Sequence, residues 1–269
     1  MVTRDSGSGD GDLSDPAVLS GVADTTITEN ADRTELSLTS PGLVSSFTGT
    51  NDGSSEGRFY ALPNGGRALV SRVNVADGVD DTFLVYSEYN PTNEQQTEFA
   101  YSYAGTRSTD DTMARLKANN HTATYVGSGQ VTGAMGSQEV SIFGRMGMDV
   151  NFAGSGSAID GNIVDTSGRT GLAADEMTFN GELSEAGTSD FDITNIRLHN
   201  GGSEVATIDP NADSIGAGVG SFFGRDAEGV IGVFAGSGRT VVPDGATGER
   251  VNIIGSFSGS AATATATRR

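Results

Sequence analysis

A segment near the C-terminal end constrains the fold most, because its large apolar residues alternate with glycine around one polar turn. Residues 220–236 read GSFFGRDAEGVIGVFAG. Phe222 and Val230 alternate with glycine or polar neighbours, a spacing that indicates strands rather than a helix. Residues 225–229 predict the turn, with Gly229 available for a positive φ. Glycine between large apolar residues lets a strand bend or approach its neighbour closely, which the strands of a closed barrel require.

Composition supports a chain of short strands and many turns. The 269 residues include 39 Gly and only 6 Pro, and 35% are hydrophobic. The net charge of −19 argues against nucleic acid and anionic lipid as partners. It suits a solubility role in a salty or extracellular setting, or the steering of a basic partner or of cations. With no cysteine in the sequence, a disulfide or thiolate metal site is excluded.

The domain boundaries are predicted from changes in composition and in the regularity of the strand pattern along the chain. Residues 1–20 read as a flexible leader, 21–121 as an irregular β-rich domain, 122–258 as a barrel and 259–269 as a flexible tail. The third region contains about eight or nine short strands separated by Gly, Ser, Asp and Asn turns. That regular rhythm is typical of a meander or a closed up-and-down barrel.

Two β-hairpins and one short helix are predicted in the first region. Asn64-Gly65 favours the primed turn of the first hairpin. The helix falls within residues 109–120, with Asp110 or Asp111 as its N-cap, although a loop is the alternative. The paired hairpin segments are residues 58–62 with 67–75, and residues 82–89 with 97–103.

Four stretches together resemble the transferrin-binding protein B-like β-barrel family. Residues 220–236 closely resemble its signature hairpin, roughly G-x-F-Y/F-G-x-x-A-x-E-x-G-G-x-F. Residues 148–163 resemble its run L-x-V-D-F-x-x-G-T-I-x-G-x-I, and residues 179–183 its F-x-G-x-I strand. Residues 125–129 resemble the Tyr-x-Gly that opens the barrel. The stretches occur in the family's order along the chain.

The resemblance implies a fold and a class of function. The expected fold is mostly β, with an irregular β-rich handle domain followed by an antiparallel eight-stranded up-and-down barrel. Family members that bind transferrin have two lobes, each a handle plus a barrel, and this chain has room for one. It is therefore similar to the single-lobe relatives, which include haem-binding hemophilins and factor H-binding protein. The implied function is non-enzymatic binding of a protein partner or of an iron-containing ligand such as haem.

Location and anchoring are also implied by the resemblance. The expected location is the bacterial cell surface, lipid-anchored in the outer membrane, or the medium after secretion. The Gly/Ser/Asp-rich leader is like the segment that follows the lipid-bearing cysteine of bacterial surface lipoproteins, so an anchor through a removed N-terminal cysteine is expected. The alternative function is a structural subunit of an extracellular assembly or filament. The leader or the threonine-rich tail would then add a strand to an exposed sheet edge of a neighbouring copy.

Three tyrosines of the first region have strand spacing and are the main binding-site candidates. Tyr86, Tyr101 and Tyr103 are predicted to line one sheet face. Tyrosine is favoured at interfaces because it combines a large apolar area with a polar tip. Arg72 falls in the same half of an otherwise acidic chain. These residues are the predicted ligand- or partner-binding face, with the alternative that they form the domain's own core and cover.

The sequence contains two histidines, His121 and His199. His121 lies at the predicted junction of the two domains, where a haem-binding relative would need an axial imidazole, and it completes the predicted binding residues. The alternative for His121 is a polar loop residue. His199 is predicted to lie in an exposed hairpin turn. No nucleophile elbow or EF-hand spacing is present, so no catalytic residue, no metal site and no enzyme activity are predicted.

Overall fold

The computed structural model describes residues 2–5, 18–22, 26–30, 34–39, 47–51, 59–62, 66–72, 82–89, 98–153, 157–209, 217–242 and 248–262. These residues form two antiparallel sheets of nine strands each, joined through one helix. The second sheet closes into a barrel. The prediction of a mostly β chain ending in an eight-stranded antiparallel barrel is confirmed.

The first sheet is a meander that gains two strands at one side. Its strands are β1 Val2–Asp5, β2 Val18–Val22, β3 Thr26–Glu29, β4 Glu35–Thr39, β5 Phe47–Asn51, β6 Phe59–Ala61, β7 Arg67–Arg72, β8 Phe83–Tyr89 and β9 Glu98–Ala104. From β3 to β9 each strand pairs with the next along the chain, and β1 and then β2 extend the sheet beyond β9. Both predicted strand pairings are confirmed as β6–β7 and β8–β9, whereas the turn predicted at Asn64-Gly65 lies outside the described residues. The strands β1 and β2 fall in or reach into the stretch predicted as a leader.

The barrel has eight strand positions around its circumference, although its sheet contains nine strands. The strands are β10 Thr122–Met135, β11 Gln138–Asn151, β12 Ser157–Asp165, β13 Glu176–Leu183, β14 Asp190–Asn200, β15 Ser203–Asp209, β16 Ala217–Phe223, β17 Gly229–Thr240 and β18 Arg250–Ala261. Both β15 and β16 pair with β14 on one side and with β17 on the other, at different places along those strands. Together they therefore occupy one strand position of the barrel. Pairing of β18 with β10 closes the barrel.

Side chains from all the barrel strands fill the interior, and glycines leave space for the phenylalanine rings. A Cβ placed at Gly161 would lie 2.2 Å from Cζ of Phe179, and one at Gly220 would lie 2.1 Å from Cζ of Phe191. The rings therefore occupy the space that a side chain on the neighbouring strand would need. Phe179 and Phe257 stack with their centroids 4.9 Å apart. Because the interior is packed in this way, a ligand would meet the barrel from outside.

The predicted helix is confirmed as α1, Asp110–Ala118, and it packs across one end of the barrel. Met113 and Leu116 are buried and belong to the barrel core. The prediction of an aspartate N-cap is wrong, because Thr109 occupies that position and its side chain accepts a hydrogen bond from the backbone N–H of Thr112. Asp110 instead lies in the first turn, where a negative charge is favourable.

The turn of the final hairpin is bonded to this helix. The hydroxyl of Thr112 donates to the carbonyl of Arg225 over 2.9 Å, and the hydroxyl of Tyr125 donates to the carbonyl of Ala227 over 2.6 Å. The positive φ angles of the turn fall on Gly224 (86°) and Ala227 (58°), so the prediction that Gly229 would supply one is wrong. Ala227 is held in the left-handed region by its burial and by these bonds.

Replacing Tyr125 by phenylalanine is expected to lower the free energy of unfolding by about 1–2 kcal/mol, because the Ala227 carbonyl loses its buried donor. Burial, and to a lesser extent the charge of Glu228, raise the pKa of Tyr125. The folded protein therefore keeps this phenol neutral while the unfolded chain ionises it above about pH 10. Its contribution to stability is complete below that pH and declines as the pH rises further.

Urea unfolding at neutral pH and at about pH 11 would measure both effects. The wild-type protein should lose more stability between the two conditions than Tyr125→Phe does. Tyr103→Phe is the matched control, since it removes a half-buried hydroxyl outside the barrel. An equal alkaline loss in the wild type and in Tyr125→Phe would contradict the prediction.

Candidate functional site

The first sheet packs against the outside of the barrel, and two of the predicted tyrosines lie in this contact. Tyr101 is 1% exposed, and the ring of Tyr103 meets Phe223 edge-on with the centroids 6.0 Å apart. The cluster at this contact contains Leu84, Tyr101, Phe223, Ile231, Val233, Ala235 and Ile254. Tyr101 is thus covered by the barrel, an arrangement that fits the alternative in which the tyrosines belong to the protein's own packing.

A chain of polar contacts runs along the edge of the same interface. The carboxylate of Asp190 accepts from Ser221 Oγ over 2.5 Å and from Arg107 Nη1 over 3.0 Å. Because the Ser221 proton goes to Asp190, the Tyr103 hydroxyl donates to Ser221 Oγ, 3.1 Å away. Ser221 is fully buried, so the chain satisfies a polar group that the first sheet covers. These contacts fix the first sheet on the barrel.

The other predicted binding residues are Tyr86 and Arg72 in the first sheet and His121 after the helix. Tyr86 is directly opposite Tyr101 in the β8–β9 register, and Arg72 ends β7 opposite Phe83. His121 is exposed after the end of α1, and its ring lies 5.9 Å from that of Phe152 at the end of the barrel. Among the described contacts, the ring of His121 meets Phe152 and that of Tyr103 meets Phe223. A binding role for Tyr86, Arg72 and His121 stays a prediction.

His199 lies in a barrel strand, and the described residues contain neither a metal cluster nor a membrane-spanning helix. His199 lies within β14 rather than in an exposed turn, and its Nε2 is 3.0 Å from the hydroxyl of Thr178. Within the described residues, no group of three or more His, Cys, Asp or Glu side chains could hold a metal ion. None of the helices in the part of the chain that the structure describes is long and apolar enough to cross a membrane.

The outer surface of β10 to β13, here called the exposed wall, faces solvent. One row of polar side chains crosses it: Thr124 Oγ1 donates to Asp149 over 2.6 Å, and Asn180 Nδ2 donates to Asp160 over 2.5 Å. Asp149 and Asp160 are directly opposite each other in register. Like charges so placed are unfavourable in a sheet, so the row is stabilised mainly by its neutral donors.

A shallow groove of about 300 Å³ lies along this row on the exposed wall. It exists because Gly147 lacks a side chain between Val126 on one side and Asn162 on the other. Thr124, Asp149 and Asp160 also border it. The groove gives the wall a concave feature beside exposed apolar groups.

Three large apolar side chains are exposed on the same wall around one arginine. Val126 is 49%, Phe143 41% and Val164 38% exposed. Val164 is directly opposite Arg145, and Phe143 precedes Arg145 by two positions on β11. Val126 is opposite Gly147, two positions after Arg145. Arg145 is exposed as well. This group is not among the predicted binding residues, although the alternation of β11 directs Phe143 and Arg145 outward.

The two carboxylates near this group in register are engaged elsewhere. Glu176, directly opposite Val164, accepts from Asn162 Nδ2 over 3.0 Å. The other is Asp165, directly opposite Gly144. It accepts hydrogen bonds from the backbone N–H of Phe143 over 3.0 Å and from the backbone and hydroxyl of Ser167. Desolvation alone would raise the pKa of Asp165, but these bonds and the charge of Arg169 outweigh it and lower the pKa. Asp165 therefore holds the loop that follows β12 rather than pairing with Arg145.

Comparison with known proteins gives structural matches alone. No protein-family model matches the sequence, and no curated protein does. The fold is similar to transferrin-binding protein B from Haemophilus parasuis Hp5, with 14% identity, 92% of this chain and 46% of the other covered, and a TM-score of 0.49. It is similar to isotype 1 transferrin-binding protein B from serogroup B Neisseria meningitidis, with 15% identity, 97% and 43% coverage, and a TM-score of 0.49.

The third match is with a shorter protein. HpuA from Kingella denitrificans, in a structure of its complex with human haemoglobin, is 14% identical, with 99% of this chain and 89% of that chain covered and a TM-score of 0.41. The chain spans less than half the length of the two transferrin-binding proteins and most of the length of HpuA. The fold of this chain is therefore similar to the folds of transferrin-binding protein B and HpuA.

Proposed function

We propose that this chain is a non-enzymatic binding protein of the bacterial cell surface, or one secreted from the cell, and that it recognises a protein partner. The observation that carries the proposal is the exposed wall. The barrel interior is packed, and the outer surface of β16 to β18 is covered by the first sheet. The wall on β10 to β13 nevertheless keeps Val126, Phe143 and Val164 in solvent beside a groove. Grouped apolar exposure of this kind is typical of a protein interface.

The chemistry of the described residues supports binding rather than catalysis. Two described serines donate to carboxylates: Ser221 is fully buried and donates to Asp190 within the contact between the two sheets, and Ser167 donates to Asp165 within the loop after β12. A nucleophile needs a general base and access to a substrate. Ser221 has no such access, and the lowered pKa of Asp165 makes that carboxylate a weak base for Ser167. The acidic net charge supports a partner surface that is neutral or basic overall.

Binding to transferrin and to human haemoglobin tests the proposal, because the structurally similar proteins include transferrin-binding protein B and HpuA in complex with human haemoglobin. With the chain immobilised on an optical sensor, we expect saturable one-to-one binding to one of the two, with a Kd of about 1 μM or tighter. Serum albumin is the control protein. Absence of binding to both, together with large regular particles in sedimentation, would favour the alternative of an assembly subunit.

The same sample decides the haem prediction. A haem ligand at His121 predicts a sharp Soret band after haem addition that is lost in His121→Ala and kept in His199→Ala. His121 is exposed beside Phe152, so its substitution leaves the barrel core in place. A spectrum identical to that of free haem would leave the protein partner as the ligand.

A further inference from the structure

Arg145 is the one basic residue in the four strands of the exposed wall. It is exposed on β11 and has no ion pair or hydrogen bond with any of the described residues. Lys117, Arg225 and Arg250 are also exposed without such a contact to the described residues, but they lie outside strands β10 to β13. Arg115 and Arg197, by contrast, pair with Asp226 and Glu204. An unpaired guanidinium keeps its full capacity for a bidentate bond to a carboxylate.

The apolar side chains around Arg145 form one continuous patch with it. Val126, Phe143, Arg145 and Val164 are here called the Arg145 patch. On one face of a sheet, residues directly opposite or diagonal across neighbouring strands lie within about 5–8 Å of each other. The registers put Val164 directly opposite Arg145 and Val126 diagonal to it, and Phe143 lies two positions before Arg145 on the same strand. Arginine flanked by an aromatic ring and aliphatic groups is the composition typical of a binding hot spot.

The patch is held on a rigid support. Its residues lie within long strands that pair on both sides: β11 pairs with β10 along its whole length and with β12 over half of it. The backbone of Phe143 is bonded further to Asp165. The surface would thus lose little conformational entropy when a partner binds, which favours affinity.

We propose that the Arg145 patch docks a segment of the partner protein that presents one carboxylate beside an apolar side chain. The proposal rests on the proposed function, in which the partner is a protein. The carboxylate pairs with Arg145, and the apolar side chain covers Val126, Phe143 and Val164. Asp149 and Asp160 on the same wall repel further negative charge, so the partner surface around that carboxylate is neutral or basic. One fixed arginine in an acidic surround selects a lone acidic group.

Panning the folded chain against a random-peptide display library tests this chemistry without knowledge of the partner. Enriched peptides should share an Asp or Glu next to an aromatic or aliphatic residue. Arg145→Ala and Phe143→Ala should each weaken their binding about tenfold or more. Arg197→Ala and Val241→Ser are the matched controls, since they change an exposed but ion-paired arginine and an exposed valine off the wall. A peptide with its acid changed to lysine should bind Arg145→Glu better than wild type.

Three results would overturn the inference: no enriched peptide, enriched peptides without a carboxylate, or equal binding to wild type and Arg145→Ala. A dimer that dissociates in Phe143→Ala would also overturn it, because the occupant would then be a second copy. Thermal unfolding of each variant establishes that it is folded. If the chain still binds transferrin or haemoglobin while any of these results is found, the inference fails and the proposed function stands.

Discussion

Replacing Phe222 by alanine is expected to lower the free energy of unfolding by about 3–5 kcal/mol, enough to unfold much of a domain of ordinary stability. Phe222 is fully buried at the centre of an aromatic group inside the barrel. Its ring centroid lies 5.7 Å from that of Tyr125, 5.2 Å from Phe152 and 5.1 Å from Phe191. Truncation removes these contacts and leaves a cavity that strands paired on both sides do not collapse to fill.

The adjacent residue, Phe223, provides the matched variant for that experiment. It is equally buried but points outward, under Leu84 and Tyr103 of the first sheet. Phe223→Ala should therefore loosen the first sheet while the barrel persists. Urea unfolding followed by circular dichroism, together with limited proteolysis, should show one weakened transition for Phe222→Ala and a separate early transition for Phe223→Ala. Identical profiles for the two variants would contradict this division.

The second large effect is expected at Gly232. A Cβ placed there would lie 2.3 Å from Cζ of Phe257, a ring that is fully buried and part of the interior stack with Phe179. Gly232→Ala should lower the free energy of unfolding by about 1–3 kcal/mol, because the ring has no free volume into which it can move. The usual gain from replacing a strand glycine is smaller than this steric cost.

A double-mutant cycle isolates the contact. Phe257→Leu alone should destabilise the barrel, and combined with Gly232→Ala it should cost less than the sum of the two single changes. Gly147→Ala is the matched control, because its Cβ would lie on the outer surface, 3.0 Å from Asn162 Oδ1 on a side chain that can rotate aside. Simple additivity at Gly232 and Phe257 would mean that the ring and the glycine do not share space.

The strand pattern of the barrel could be predicted because each residue's inward or outward direction follows from its position along the strand. The alternation in β11 puts Ile142, Met146 and Met148 inside, as observed. The pairing of glycine with phenylalanine could not be predicted in the same way. Gly232 and Phe257 are directly opposite in the register of β17 and β18, which depends on turns and closure far along the chain.

The candidate sites also depend on contacts between strands that the sequence alone does not reveal. Tyr101 and Tyr103 are two positions apart and share a face, but the sequence does not say which surface covers that face; it is the outside of the barrel. For the Arg145 patch, the outward direction of Phe143 and Arg145 follows from β11 alone. Their companions Val126 and Val164 come from two other strands and require the register. The helix was predicted with the wrong cap because Thr109 and Asp110 both favour that position.

The final hairpin has an implication for exchanging parts between related proteins. Its inward side chains belong to the barrel core, and its outward ones, among them Phe223, Ile231 and Val233, belong to the contact with the first sheet. A chimera joined at the connection between β9 and α1 would separate the first sheet from the surface that it fits. The unit that can be transplanted intact is therefore discontinuous in sequence: the strands of the first sheet together with the outward positions of β16, β17 and β18.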